Sequence, residues 1–404
     1  MGGKYLLLLA LLLATALPSP AQTLARPGMA GPGLNTDLWW KQAVFYQIAD
    51  TPADYKSIAG QLDALHTLGV DALIVPMPAI PAPQTPDPAL DDFDQLIHQA
   101  SQRGIRVLVT FPAPSAIADL APTARFWLSR GVAGFHLVTS PSASPQDTQS
   151  LVQALRKITN SAVGQRIVLS DFNPGTTPTP LAVSTAPPSS RRASTVRPNR
   201  PGDSSTAQLQ IDSQLNHIAL PDAASLRPIL AQSLSISNIM LDFNQSFTPP
   251  GSPDPYPALA RSMAAILLTT HSAALIDADQ NLDLLPSAPP ASTLADWVSK
   301  LSALHHGNPT VRYGSVTFLN FDTQNALIWV IRPASNSALA PPVVVACNLS
   351  SSPLQLSLTS AIHSLNLRGS YLLTVLRSDQ AMGAQDLGSV TLPPFAVYIG
   401  ALHR

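Results

Sequence analysis

The chain is poor in cysteine and in charge. Its 404 residues include one cysteine, Cys347, so no internal disulfide can form and the folded state must rest on a hydrophobic core. Cys347 lies in an apolar, strand-like run, which predicts a buried and unreactive thiol. Charged residues make up 12% of the chain, about half the usual share, and the net charge is −1. This balance gives no electrostatic reason to expect a nucleic acid or an acidic membrane as a partner.

One strongly apolar segment stands at the N-terminus. Residues 5–17 are almost continuously apolar and follow Lys4, and small residues at the expected cleavage spacing come next at Ser19-Pro20-Ala21. The run is too short for a comfortable membrane span. Residues 1–21 are therefore predicted to be a cleaved signal peptide, which implies a secreted or periplasmic protein without a stable membrane anchor. An uncleaved anchor is the alternative that this segment leaves open.

Strand-like and helix-like segments alternate over residues 36–306. Apolar residues from Ile58 to Leu68 share one face of a predicted helix over 55–68, and Gly69 is placed to end that helix. This rhythm favours parallel strands joined by right-handed helical crossovers, and repeated about eight times it gives a closed barrel. Strands are predicted at 43–48, 70–76, 105–111, 131–138, 166–171, 207–211, 238–241 and 273–276. Helices are predicted at 55–68, 91–103, 120–130, 223–234, 256–270 and 294–306.

Four segments resemble the alpha-amylase family of glycoside hydrolases. WWKQAVFYQI at 39–48 is similar to the family's first strand, and residues 62–73 are similar to its first helix and second strand. Residues 91–109 and 124–135 resemble the second helix with the third strand, and the helix that leads into the fourth strand. The resemblance implies a (β/α)8 TIM barrel followed by a small C-terminal antiparallel β-sandwich. The matched residues are mostly core and turn positions, which bear on fold more than on activity.

The family's nucleophile position is changed. In the family the fourth strand reads Gly-Phe-Arg-hydrophobic-Asp, and its Asp is the catalytic nucleophile. Residues 134–138 here are Gly-Phe-His-Leu-Val, so His136 takes the Arg position and Val138 takes the Asp position. Valine can neither form a glycosyl ester nor stabilise an oxocarbenium ion. Thr110, Pro114 and Ser115 likewise stand where the family carries an Asp and an Asn-His pair, so the resemblance implies an amylase-like barrel that has lost catalysis.

Two carboxylates remain as candidate catalytic groups. Asp171 ends the predicted fifth strand, where the family has its general-acid Glu, and its side chain is one methylene shorter. Near the seventh strand, the ungapped register puts Gln245 at the position of the family's third carboxylate, whereas a shifted register puts Asp242 there. Both aspartates also have an ordinary interpretation as turn-forming residues at strand ends. We expect at most one inward carboxylate, Asp171, near the family's reaction centre.

Three further side chains are candidates for sugar binding: His136, Tyr46 and Asn244. A histidine at a strand end more often finds a backbone partner. His305-His306 is not expected to bind a metal, because adjacent side chains do not converge on one helix face. Neither a metal nor a cofactor is predicted.

Two segments differ in pattern from the barrel. Residues 175–205 are rich in Pro, Ser, Thr and Arg and are predicted to be a disordered insertion, since they cannot bury enough apolar surface to fold. From 311 to 404 the hydrophobic period changes to two, which predicts antiparallel strands. We expect the apolar residues of this β-sandwich to pack on the barrel rather than to form a sugar site.

Taken with the resemblance, the sequence predicts a secreted amylase-like barrel that is catalytically inactive. Its predicted role is binding of an alpha-glucan or oligosaccharide, or of a protein partner. The rival prediction is a divergent glycoside hydrolase or transglycosylase that uses Asp171 with a relocated carboxylate such as Asp242. A scaffold without sugar affinity is the third alternative.

Overall fold

The computed structural model describes residues 38–48, 53–80, 87–113, 117–140, 143–172, 206–218, 222–236, 238–243, 256–270, 273–277, 294–321, 323–334 and 340–404. The predicted signal peptide (1–21), the predicted disordered insertion (175–205) and Asn244 lie outside these residues. Within them, no helix is long and apolar enough to cross a membrane.

Eight parallel strands close into a barrel in sequence order, which confirms the predicted fold. The strands are β1 (Val44–Gln47), β2 (Ala72–Pro76), β3 (Arg106–Pro112), β4 (Gly134–Val138), β5 (Ile167–Asp171), β6 (Leu209–Asp212), β7 (Ile239–Phe243) and β8 (Ala274–Asp277). A closed sheet leaves no unpaired edge, and the last strand pairs in parallel with the first.

The helices cover the outside of the barrel. They are α1 (Tyr55–Gly60), α2 (Leu62–Leu68), α3 (Pro88–Gln102), α4 (Ile117–Ser129), α5 (Pro145–Ser161), α6 (Ala223–Ser235), α7 (Tyr256–Thr270) and α8 (Leu294–Gly307). The segment predicted as one helix over 55–68 is two helices separated by Gln61. Gly69 ends α2 in the left-handed conformation at φ 87°, as its position predicts. The side chain of Asp54 accepts a hydrogen bond from the backbone N–H of Ser57 and so starts α1.

The pairing register arranges the inward side chains in layers. The paired residues can be followed from Phe45 across β2 to β8 and back to Phe45. This path returns to Phe45 only after a move of two residues along each of β3, β5, β6 and β7, so the barrel has a shear of eight residues. With this shear, each layer takes one inward side chain from every second strand. The innermost complete layer is apolar and fully buried, and consists of Phe45, Leu108, Leu169 and Met240. The next layer towards the carboxyl ends of the strands consists of Ile74, His136, Ile211 and Leu275.

A second domain follows the barrel. It begins after α9 (Pro309–Tyr313) and contains β9 (Ser315–Phe318), β10 (Ala326–Arg332), β11 (Val343–Asn348), β12 (Leu354–Leu356), α10 (Thr359–Ser364), β13 (Tyr371–Arg377), β14 (Ala384–Asp386), β15 (Val390–Leu392) and β16 (Val397–His403). Six of these strands form one antiparallel sheet in the order β14-β13-β16-β11-β10-β9, and β12 pairs with β15. The pattern of period two therefore predicted the antiparallel class correctly, although it did not identify α10, β14 and β15.

The six-stranded sheet is apolar on both faces. On one face Ile328, Val344 and Tyr398 share a core with the two-stranded sheet and α10. On the other face Trp329, Val345 and Ile399 belong to the same hydrophobic cluster as the barrel helices. The expectation that this domain packs on the barrel is confirmed.

Candidate functional site

A layer of four polar side chains lies at the carboxyl end of the barrel. The register places Gln47, Thr110, Asp171 and Asp242 in one layer, directly above the layer that contains His136. They come from β1, β3, β5 and β7, each two residues beyond a member of the apolar layer. The carboxyl end of such a barrel is where its active sites are built, so this polar layer is the candidate site.

The residues of the polar layer differ in burial. Asp242 is 6% exposed, whereas the side chain of Asp171 is 54% exposed. Among the described residues, Oε1 of Gln47 and Nδ1 of His136 are buried without a hydrogen-bond partner. Buried polar atoms of this kind are normally satisfied, so a further polar group could pair with them.

His136 supports Asp171 from below. Its Nε2 lies 3.1 Å from Oδ1 of Asp171, and its side chain is 6% exposed. Nε2 donates this hydrogen bond if the ring carries its proton there. The alternative interpretation of His136, a hydrogen bond to a backbone group at the strand end, does not describe this contact, because the partner is the side chain of Asp171.

Asp242 is held by the segment that follows β6. Its Oδ2 accepts hydrogen bonds from Oγ of Ser213 at 3.0 Å and from Nδ2 of Asn216 at 3.1 Å. Asn216 belongs to a short 3-10 turn, Gln214–His217. The expectation of at most one inward carboxylate was therefore wrong, since the spacing of two residues from Met240 turns Asp242 into the barrel as well.

Val138 ends β4 above His136. It is 36% exposed, whereas Gly134 to Leu137 are buried as predicted for this strand. Its position confirms that an apolar side chain stands where the strand meets the mouth. Because the chain contains no glutamate, every side-chain carboxylate is an aspartate, and a glutamate general acid is excluded at any position.

The remaining predicted residues lie elsewhere. Tyr46 is buried in the cluster between the strands and the surrounding helices rather than in the inward layers. Asn244 and Gln245 lie outside the described residues, as do Pro114 and Ser115. Sequence reasoning missed Gln47, although its alternation with Phe45 on β1 would have placed it inward.

Clefts also occur among the described residues at the opposite, amino end of the barrel. One is lined by Trp39, Arg106 and Arg166, and its volume is about 360 Å³. The guanidinium of Arg106 lies 4.5 Å from the centre of the Trp39 ring, while Arg166 donates to the carbonyl oxygens of Val163 and Gly131. These carbonyls follow helices α5 and α4, where arginine caps the negative helix ends, so the cleft has a structural explanation.

Comparisons with known proteins are consistent with this architecture. No family model matches the chain. An alignment 94 positions long with the trehalose-6-phosphate hydrolase of Escherichia coli (strain K12) shows 37% identity, and it covers 18% of this chain and 17% of that protein. The matched segment thus spans less than a fifth of the curated relative.

Solved structures resemble the whole fold. The isomaltulose synthase from Klebsiella sp. LX3 superposes with a TM-score of 0.64 at 13% identity, covering 90% of this chain and 99% of that one. The isomaltulose synthase from Erwinia rhapontici NX5 also gives 0.64 at 13% identity, with 92% and 100% covered. A trehalulose synthase has been solved as an inactive double mutant with isomaltulose, with a TM-score of 0.63 at 13% identity over 92% and 100% of the two chains. These structures therefore share the fold of this chain, and the sequence similarity is confined to the matched segment.

Proposed function

We propose that this chain is a divergent member of the alpha-amylase family that binds an alpha-glucoside at the polar layer without hydrolysing it. The observation that carries the proposal is Val138 at the end of β4, beside a polar layer that is otherwise built for hydrogen bonding. Retaining hydrolysis needs a nucleophilic carboxylate, and valine offers none at the position that the resemblance assigns to it.

Binding is supported by the chemistry of the layer. Carboxylates, an amide and a hydroxyl provide both donors and acceptors for sugar hydroxyl groups. The partnerless Oε1 of Gln47 can accept from a hydroxyl group, and the side chain of Asp171 is 54% exposed. The trehalulose synthase of similar fold has been solved in complex with isomaltulose.

A second candidate is a divergent glycosidase that uses Asp171 and Asp242. The observation that favours it is that both carboxylates lie in one layer, on β5 and β7. Against it, Asp242 is 6% exposed and accepts from Ser213 and Asn216, which suits a carboxylate that anchors a turn. Separations of about 5–5.5 Å or 6.5–9.5 Å between the carboxyl groups would be required for retention or inversion, respectively.

The test combines calorimetric binding with a hydrolysis assay. Full-length protein is titrated with maltose and maltotriose, and the same mixtures are followed for glucose release over days. We expect measurable binding without turnover, loss of binding in Gln47→Ala and Asp171→Asn, and unchanged binding in the control Asp63→Asn. Asp63 is a suitable control because its side chain is 83% exposed on the outer surface.

Two other results would each contradict the proposal. Glucose release that disappears in Asp171→Asn or Asp242→Asn would establish the glycosidase. Absence of binding to all glucosides tested, with a folded protein, would leave the scaffold or protein-binding alternative.

Export is part of the same proposal and rests on residues 1–21. Expressed in a bacterium with its own N-terminus, the protein should be found in the periplasm or medium with a new N-terminus near residue 22. Recovery in the membrane fraction with Met1 intact would instead indicate an uncleaved anchor.

A further inference from the structure

The last turn of α8 carries two adjacent histidines that join three parts of the barrel. His305 is fully buried. Its Nδ1 lies 3.0 Å from the carbonyl oxygen of Leu268 in α7, and its Nε2 lies 3.2 Å from the carbonyl oxygen of Gln42, just before β1. This ring therefore connects α8 with the preceding helix and with the first strand, where the barrel closes.

The neighbouring ring makes a parallel pair of contacts. Nδ1 of His306 lies 2.8 Å from the carbonyl oxygen of Ser302, and its Nε2 lies 2.9 Å from Oδ2 of Asp71. The same oxygen of Asp71 accepts from the backbone N–H of Val44, the first residue of β1, at 2.8 Å. His306 thus reaches the start of β1 through Asp71.

All four partners of the two rings are acceptors only. A neutral imidazole has one N–H, whereas an imidazolium has two, so the four contacts are fully satisfied only when both rings are charged. The ring centres are 5.4 Å apart, and Asp71 is the one carboxylate in contact with the pair among the described side chains. Two positive charges at this distance, one fully buried, repel each other and lose hydration.

We infer that His305 and His306 together hold a single extra proton, and that His306 carries it. This proton stabilises the contacts of the two rings with the start of β1, which we call the joint. His306 has the carboxylate, and His305 has only carbonyl oxygens. Both lie at the C-terminal end of a helix, which favours one cation there. The neutral His305 then donates from Nδ1 to the carbonyl oxygen of Leu268, because this is the shorter of its two contacts. Its Nε2 carries no proton towards the carbonyl oxygen of Gln42.

The surrounding charges agree with this assignment. The hydrogen bond that His306 donates to Asp71 raises the pKa of His306, although partial burial and the nearby Arg312 act against it. Burial lowers the pKa of His305, and the hydrogen bond to the Leu268 carbonyl acts against it. The charge of His306 lowers this pKa further, and the Gln42 carbonyl and Asp71 have smaller opposing effects. Arg312 itself donates from Nε to Oε1 of Gln42 at 2.8 Å. Burial lowers the pKa of Arg106, and the charge of Asp71 acts against this effect.

The two shifts act on stability in opposite pH ranges. The contribution of His306 is complete below about 6.5, the ordinary histidine pKa, and is lost as the pH rises through its raised pKa. His305 stays neutral in the folded state while the unfolded chain takes up a proton, so stability falls as the pH drops from about 6.5 through its lowered pKa. The contribution of the joint to folding stability is therefore greatest near pH 6.5 and falls at lower and at higher pH.

The test uses full-length protein with 13C-labelled histidine rings and follows their titration by NMR. The rings of His305 and His306 are assigned from His305→Asn and His306→Gln. We expect one charged and one neutral ring near pH 6.5, and a titration of His305 that moves to higher pH in His306→Gln, because the neighbouring charge is gone. A His305 titration that is unchanged in His306→Gln, or a wild-type His305 already charged at pH 7, would overturn the inference.

Urea midpoints measured from pH 5 to 9 provide the second readout. The wild type should show a maximum, and both His306→Gln and Asp71→Asn should lose the decline on its alkaline side. Asp71→Asn keeps an acceptor at the same place, so it tests the charge even if His306→Gln folds poorly. The control is His98→Gln, on the exposed surface of α3, which should keep the wild-type profile. If the urea midpoint of Asp71→Asn still declined at alkaline pH as in the wild type, the inference that the two histidines hold one proton would be contradicted.

Discussion

Nε2 of His136 lies 3.1 Å from Oδ1 of Asp171, and this contact joins the neighbouring strands β4 and β5 at the mouth of the barrel. The two partners differ sharply in burial, since the histidine side chain is 6% exposed and the aspartate side chain 54%. A hydrogen bond between unequally buried partners has unequal consequences when either one is removed.

Replacement of Asp171 should therefore cost more than replacement of His136. Asp171→Leu leaves Nε2 of the buried ring without a partner, at a cost of about 1–3 kcal/mol. His136→Leu leaves a carboxylate that water can solvate and should change stability by less than about 1 kcal/mol. Asp171→Asn, which keeps an acceptor, serves as the control. Urea unfolding of the three variants measures the difference, and equal losses in the two leucine variants would contradict it.

Gly134 should tolerate no side chain. A Cβ at this position would overlap the backbone carbonyl oxygen of Ile167 on β5 and lie 2.9 Å from Cγ1 of that residue. Because the paired strand cannot move without breaking the barrel register, Gly134→Ala should cost about 1–3 kcal/mol or more. Gly60, in α1, has no neighbouring atom within 4 Å of such a Cβ and provides the matched control. Gly60→Ala should be neutral or stabilising in the same thermal or urea unfolding assay.

Val138→Asp should fold and remain inactive. Val138 is 36% exposed at a strand end, so an aspartate there stays hydrated and should cost less than about 1 kcal/mol. Activity is not expected to return, because Asp171, where the resemblance places the general acid, already hydrogen-bonds His136. Leu373→Asp, at an apolar strand residue that is 47% exposed, is the stability control. Release of glucose from maltooligosaccharides by Val138→Asp alone would show that a complete catalytic cleft is present.

Cys347 should be unreactive in the folded protein. The thiol is fully buried, and this burial raises its pKa to about 12. Since the thiolate is the reacting species, alkylation at pH 8 should occur only as fast as the domain unfolds. Mass spectrometry after iodoacetamide treatment, with and without urea, measures this. Rapid modification without urea would mean that β11 opens locally.

The sequence predicted the elements of the fold well where the signal is local. Gly69 ends α2 as expected, and helix α7 has the predicted bounds, because helix ends and periodicity depend on residues close in the chain. The break at Gln61 was not foreseen, since the apolar face continues across it. The helix α5 was not predicted, although Leu151, Val152, Leu155 and Ile158 form a regular apolar face on it.

The candidate site was predicted only in part. Asp171, His136 and Val138 were found because each stands at a motif position on its strand. Asp242 was considered, but its inward direction depends on the pairing of β7 with β6 and β8. Gln47 lies in the segment that resembles the family's first strand, and its alternation with Phe45 predicts an inward side chain. Its neighbours in the layer are known only once β1 is seen to share that layer with β3, β5 and β7.

By itself, the sequence determined that the chain forms a barrel of alternating strands and helices with valine at the fourth strand's end, because periodicity, turn glycines and residue identity are local properties. The tertiary structure alone decided which side chains meet. The shear of eight residues that sets Asp171 and Asp242 in one layer comes from the pairing of all eight strands together. Likewise, His306 and Asp71 are separated by 235 positions in the chain and touch only because the barrel closes.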